Sequence, residues 1–129
     1  MIRLVVFSSV LIFIFLTSCE KGYKDEIFIE KYRTIYGQWK FYLGVGQTGF
    51  FKDDYTIKFI KYGLFSYKDG KEGKITIVQQ DENQLTIDFD SLIPNVRFAN
   101  VNIYNSGDTL SITPYSPYQG PTRIYTRIK

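Results

Sequence analysis

From residue 37 onward the apolar residues recur at every second position, and that period leaves a chain of this kind few folds to adopt. Trp39, Phe41 and Leu43 alternate with Lys40 and Tyr42, and Ile57 and Phe59 with Thr56, Lys58 and Ile60. Leu85, Ile87 and Phe89 alternate with Gln84, Thr86, Asp88 and Asp90. Successive side chains on a strand point to opposite faces, so each run reads as a strand with one buried face. The pairs Phe65 and Tyr67, Ile75 and Ile77, Val101 and Ile103, and Leu110 and Ile112 add four more strands, and a last one runs from Arg123 to about Ile128. Turn chemistry separates them: Asp69-Gly70, the polar stretch Gln79–Asn83, Asn105-Ser106-Gly107-Asp108, and the Pro/Gly-rich loop from Pro114 to Pro121. No long helical pattern intervenes, which excludes parallel βαβ units. The expected fold is all-β, with eight antiparallel strands, A to H, closing into an up-and-down barrel that leaves no exposed edge. A partly open barrel or a two-sheet sandwich fits the same patterning. Phe28, Tyr32 and Ile35, at i, i+4 and i+7, mark a short helix ahead of strand A.

The first residues follow a different rule. Residues 4–16 form an apolar run of 13 behind Arg3, short of the ~20 residues that a spanning helix needs. The pattern is that of a secretory signal peptide, here residues 1–18. Its end, Leu16-Thr17-Ser18-Cys19, resembles the lipobox of bacterial lipoproteins. That resemblance implies cleavage before Cys19, acylation of its thiol with fatty acids such as palmitate, and a membrane partner through the lipid. It also implies a place in the bacterial cell envelope, at the outer membrane. In an ordinary cleaved signal, Cys19 would be a bystander. Residues 19–26 then read as a lipidated polar tether and residues 27–129 as one domain.

Composition removes most chemistry. The chain has one cysteine and no histidine, so it has no internal disulfide, no multi-cysteine metal site and no imidazole base. An enzyme is not expected, and neither a metal nor a cofactor is called for. Past the signal, 15 basic residues face 13 acidic ones. The lysines at 52, 58, 61, 68, 71 and 74 are interleaved with Asp53, Asp54, Asp69 and Glu72. That describes a solvated mixed-charge face, not a nucleic-acid surface.

Gly37-Gln38-Trp39 opens strand A, and Tyr125-Thr126-Arg127 lies on the last strand. Together they resemble the lipocalin-like domains of small bacterial lipoproteins over residues 27–129. In that family the Gly-x-Trp tryptophan packs at the closed end of the barrel, under an arginine from the last strand. Geometry points the same way. In a closed meander the start of A and the end of H share one end of the barrel, so Trp39 and Arg127 form a barrel-closure pair with the guanidinium over the indole. The resemblance implies binding or carriage of a small apolar or amphipathic ligand. The other reading is an interaction lipoprotein whose rim loops hold a partner protein while the barrel interior is filled.

Two further patterns bear on function. Gly44-Val45-Gly46-Gln47-Thr48-Gly49 is a literal Gly-x-Gly-x-x-Gly, but a strand and not a helix follows it. No helix N-terminus is present for a pyrophosphate, and the stretch reads as the loop between A and B. Asp88 and Asp90 share an outward strand face, and no loop has the acidic alternation of a calcium site. Aromatics are abundant: 20 of the 111 residues from Cys19 onward are Phe, Tyr or Trp. Inward ones such as Trp39, Phe41, Phe59 and Phe89 fill a core. Loops AB, EF and GH, gathered at the end opposite Trp39, also carry apolar residues. Phe50, Phe51, Leu92, Ile93, Tyr115 and Tyr118 are thus the candidate ligand-binding rim, or alternatively an inward plug.

Overall fold

The structure, a computed structural model, describes residues 26–47, 49–68, 70–115 and 120–129. The signal segment 1–18, Cys19, the tether up to residue 25, and Tyr118 lie outside the described residues. Among the described residues there are ten strands: β1 (Gly37–Gly46), β2 (Gly49–Phe51), β3 (Thr56–Ile60), β4 (Leu64–Tyr67), β5 (Lys71–Lys74), β6 (Thr76–Gln80), β7 (Leu85–Asp88), β8 (Phe98–Tyr104), β9 (Thr109–Pro114) and β10 (Thr122–Arg127). Two 3-10 helices, Glu30–Ile35 and Lys61–Gly63, complete the fold.

Nine strands form one antiparallel path in the order β5-β4-β3-β1-β10-β9-β8-β7-β6, and β2 pairs with β1 beside it. The chain is all-β and the sheet curls into a nearly closed barrel. The path differs from the eight strands expected from the alternation. Where one strand was expected at Ile75 and Ile77, β5 pairs with β4 and β6 pairs with β7, with only Ile75 between them. The seam of the barrel lies at this break. Strand β2 was not expected either, because the three glycines of residues 44–49 mask its alternation.

Both ends of the seam are covered. Toward the Trp39 end, the Gln80 side chain accepts from Ile29 N (3.0 Å) and donates to Ile27 O (2.7 Å), so segment 27–29 is bonded to the end of β6. Phe28 is thereby buried against Tyr36. Toward the other end, the connection between β7 and β8 packs inward. Phe89 meets Phe59 and Phe65, Ile93 and Val96 join the core, and Leu92 lies over Gly73 of β5. A Cβ at Gly73 would lie 2.8 Å from a Leu92 methyl, so the missing side chain admits the plug. This folding also alters the reading of the acidic pair. Asp88 is half-buried and paired with Arg97 (3.4 Å), whereas Asp90 sits past the strand end at φ 50° and shares no strand face with it.

Strands β1 and β10 meet in register, with Trp39 opposite Arg127. The Arg127 guanidinium lies 4.1 Å from the centre of the Trp39 ring. It donates through Nε to Gly107 O (2.8 Å), through Nη1 to Tyr36 O (3.1 Å) and through Nη2 to Thr34 O. Trp39 is 0% exposed, and its indole N–H donates to Ile35 O. One charged group thus ties carbonyls at the C-terminal end of the first 3-10 helix to the β8–β9 turn.

Candidate functional site

At the end opposite Trp39, β1 extends beyond its partner β3, which pairs only with Gly37–Lys40. The freed edge of β1 is taken by β2, with Gly44 opposite Phe51, Val45 opposite Phe50 and Gly46 opposite Gly49. Residues 44–49 are therefore not simply a loop: Gly44 and Gly46 are strand residues, and Gly49 opens β2 at φ 130°. Gly44 has a packing role. A Cβ there would lie 2.0 Å from the Phe51 ring, so Phe51 covers the backbone only because Gly44 has no side chain.

Phe51 is the roof of an aromatic cluster. Its ring lies 5.6 Å from Phe41, which in turn meets Tyr55 (5.0 Å) and the edge of Tyr125 (5.6 Å). Tyr55 continues to Tyr67 at 4.9 Å, and the Lys68 ammonium lies over both tyrosine rings. Beneath the roof the hydroxyls of Tyr55 and Tyr125 are 2.8 Å apart. Burial pushes both phenols above their ordinary range, so at neutral pH they act as hydrogen-bond donors and not as bases.

Two clefts flank the roof. The larger, about 450 Å³, is lined by Gly46, Gln47, Gly49, Phe50, Phe51, Gly120 and Pro121. The smaller, about 290 Å³, is lined by Asp54, Tyr55, Thr56 and Lys68. Beneath the roof, Phe41, Tyr55 and Tyr125 belong to the buried core.

The structure divides the expected rim. Phe50 (74% exposed) and Phe51 (38% exposed) line the larger cleft together. Ile93 is 1% exposed and belongs to the core, and Leu92 is packed on β5. For these two, the connection folds inward because the seam between β5 and β7 needs filling. Tyr115 stacks on Phe98 at 6.1 Å and lines neither cleft. Tyr118 is outside the described residues. The cluster residues Tyr55, Tyr67, Lys68, Arg123 and Tyr125 escaped sequence reasoning, although one signal for two of them was present. Arg123, Tyr125 and Arg127 are spaced by two, so fixing Arg127 over Trp39 assigns all three to one face of β10.

Compared with known protein families, curated proteins and solved structures, the chain matches none. What the site does must therefore be argued from its own geometry. An exposed ring over buried aromatics, beside a cleft floored by glycines, suits the burial of apolar surface from a small molecule.

Proposed function

We propose that this protein is a lipid-anchored envelope lipoprotein whose barrel binds a small apolar or amphipathic molecule at its open end. The observation that carries the reading is Phe51, held 38% exposed on the Phe41–Tyr55–Tyr125 cluster at the edge of a 450 Å³ cleft. A ring kept half out of water, at a position that needs a glycine beneath it, is arranged for contact. Counting β5 and β6 as one strand bent at Ile75 gives eight strands, the number of a lipocalin-like barrel, and the Trp39–Arg127 stack supports the same assignment.

The anchor rests on Leu16-Thr17-Ser18-Cys19. The chain enters the domain at Ile27–Ile29, bonded to the end of β6 nearest Trp39. A lipid at Cys19 would therefore hold the closed end toward the membrane and leave the cleft facing away from it. A second reading has one observation in its favour: Phe50, 74% exposed, would suit a partner protein as well as a small ligand.

The test is titration with a neutral apolar fluorophore, N-phenyl-1-naphthylamine, alongside mass spectrometry of gently extracted protein. Wild type should bind, and Phe51→Asp should weaken binding about tenfold in a protein that still melts cooperatively. A tenfold loss is about 1.4 kcal/mol, the burial of roughly 55 Å² of apolar surface, which is within the exposed part of one Phe ring. A co-purified polypeptide with no probe binding would replace this reading with the interaction module. Palmitate labelling that persists in Cys19→Ala would remove the anchor.

A further inference from the structure

The two longest uncharged runs of the domain meet at the larger cleft. They are residues 41–51 and 109–122, 11 and 14 residues without one charged side chain in a chain that is 22% charged. Every described residue that lines the cleft belongs to one run or the other. Among those residues only Gln47 has a side chain able to hydrogen bond. Arg123 follows the second run, donates through Nη1 to Pro121 O (3.4 Å) and is not among the described lining residues. An ion entering this cleft would lose hydration with no charged lining residue to pair with, which costs free energy.

The shape of the cleft follows from the β1–β2 register. Gly44 lies opposite Phe51 and Gly46 opposite Gly49. Partners across an antiparallel pair share a face, and alternation along each strand puts all four on the same one. That face carries a single side chain, the Phe51 ring, beside bare backbone. At Gly44 the missing side chain seats Phe51, but at Gly46 and Gly49 it leaves space. A Cβ on Gly46 would meet Pro121 Cβ at 3.6 Å, an ordinary contact, and a Cβ on Gly49 would meet nothing within 4 Å. Gly46 also lacks the positive φ that makes Gly49 (φ 130°) a glycine by conformation. The result is a slot with flat walls: peptide planes and an aromatic ring on one side, the Pro121 ring on the other.

We propose that the larger cleft takes an uncharged molecule with a flat ring system. The ring lies between the Gly46–Gly49 backbone and Pro121, against Phe51, with its polar group at the Gln47 amide. The assignment rests on the ligand-binding reading above and narrows it from apolar or amphipathic molecules to uncharged planar ones. Fatty acids and other ionic amphiphiles fall outside it. Aromatic faces stack on one another with a gain beyond the area they bury, and a volume of about 450 Å³ is within the range of small-molecule sites.

Calorimetric titration of the whole protein with four compounds of one carbon skeleton tests the proposal. They are 2-naphthylmethanol, 2-naphthoate, 2-naphthylmethylammonium and decahydro-2-naphthylmethanol, the last being uncharged but puckered. Wild type should bind 2-naphthylmethanol about tenfold or more tightly than either ion. It should also bind it more tightly than the saturated analogue, although that analogue is the more apolar of the two. Gly46→Leu fills the slot and should weaken 2-naphthylmethanol about tenfold or more. Gly46→Ala, whose Cβ makes only an ordinary contact, should weaken it less and serves if the leucine variant does not melt cooperatively. Gln47→Glu should bring the ammonium closer to the alcohol and weaken the carboxylate further. Either ion or the saturated analogue binding as tightly as 2-naphthylmethanol overturns this inference and leaves the ligand-binding reading standing. Folded Gly46 and Gln47 variants that bind like wild type overturn it as well. Failure of all four compounds to bind overturns the ligand-binding reading with it.

Discussion

Replacing Arg127 by alanine tests how the closed end is held, and its cost can be worked from the contacts. The side chain donates to Gly107 O, Tyr36 O and Thr34 O and lies 4.1 Å from the centre of the Trp39 ring. A hydrogen bond to a charged group contributes about 1.5–3 kcal/mol and a cation–π contact about 0.5–2 kcal/mol. Arg127 is half-buried, so water would recover part of what the three carbonyls lose, and the contributions do not add in full. The expected loss is about 2–4 kcal/mol. For a domain of this size each kcal/mol moves Tm by about 4–8 °C, so melting should fall by roughly 10–25 °C. Arg127→Lys keeps the charge, but an ammonium cannot span three carbonyls and has no flat face for the indole, so it should lose about half as much. Chemical denaturation of Arg127→Ala, Trp39→Phe and the double variant closes a cycle, with a coupling of about 0.5–2 kcal/mol expected. A loss below 1 kcal/mol, a lysine variant equal to wild type, or strict additivity would show that the stack and its three carbonyls do not hold the barrel shut.

Gly44→Ala should evict the Phe51 ring from Phe41, because the new methyl would lie 2.0 Å from it. The expected cost is about 1–3 kcal/mol by denaturation, and a much smaller cost in a Phe51→Ala background; equal costs in the two backgrounds would mean that the ring does not rest there. At high pH the tyrosines should limit stability. Burial raises Tyr32, Tyr36, Tyr55 and Tyr125 above the ordinary phenol range, so the folded state favours their neutral forms. That stability is fully present below about pH 10 and is lost as pH rises through the higher folded values. Tyrosinate absorbance near 295 nm from these four should therefore appear only together with unfolding, and its loss in the matching Tyr→Phe variants identifies it; ionisation of these four in a still-folded protein would contradict the burial.

Much of this molecule is legible in the residues themselves. The period of two in Trp39–Leu43, Ile57–Phe59, Leu85–Phe89 and Arg123–Arg127 depends only on the geometry of a strand with one wet face, and it identifies an all-β meander. The meeting of Trp39 and Arg127 follows from topology, since the first and last strands of a closed meander are neighbours that begin and end together. Burial in short connections depends on something else. Leu92 and Ile93 read as rim residues because they lie between strands, but whether a loop folds outward or inward depends on whether the sheet beneath leaves space. The break at Ile75 separates β5 from β6 and leaves space that Phe89, Leu92, Ile93 and Val96 fill. The strand period carries no trace of that break. The same holds at the mouth. Gly44 and Phe51 are seven residues apart and look like parts of a flexible loop until β1 extends past β3 and offers β2 an edge. Tyr55 and Tyr125 come together for the same reason. Strand periodicity assigns each residue to a face, but only the closing of β1 on β10 and the return of the chain through Tyr55 bring those faces into contact.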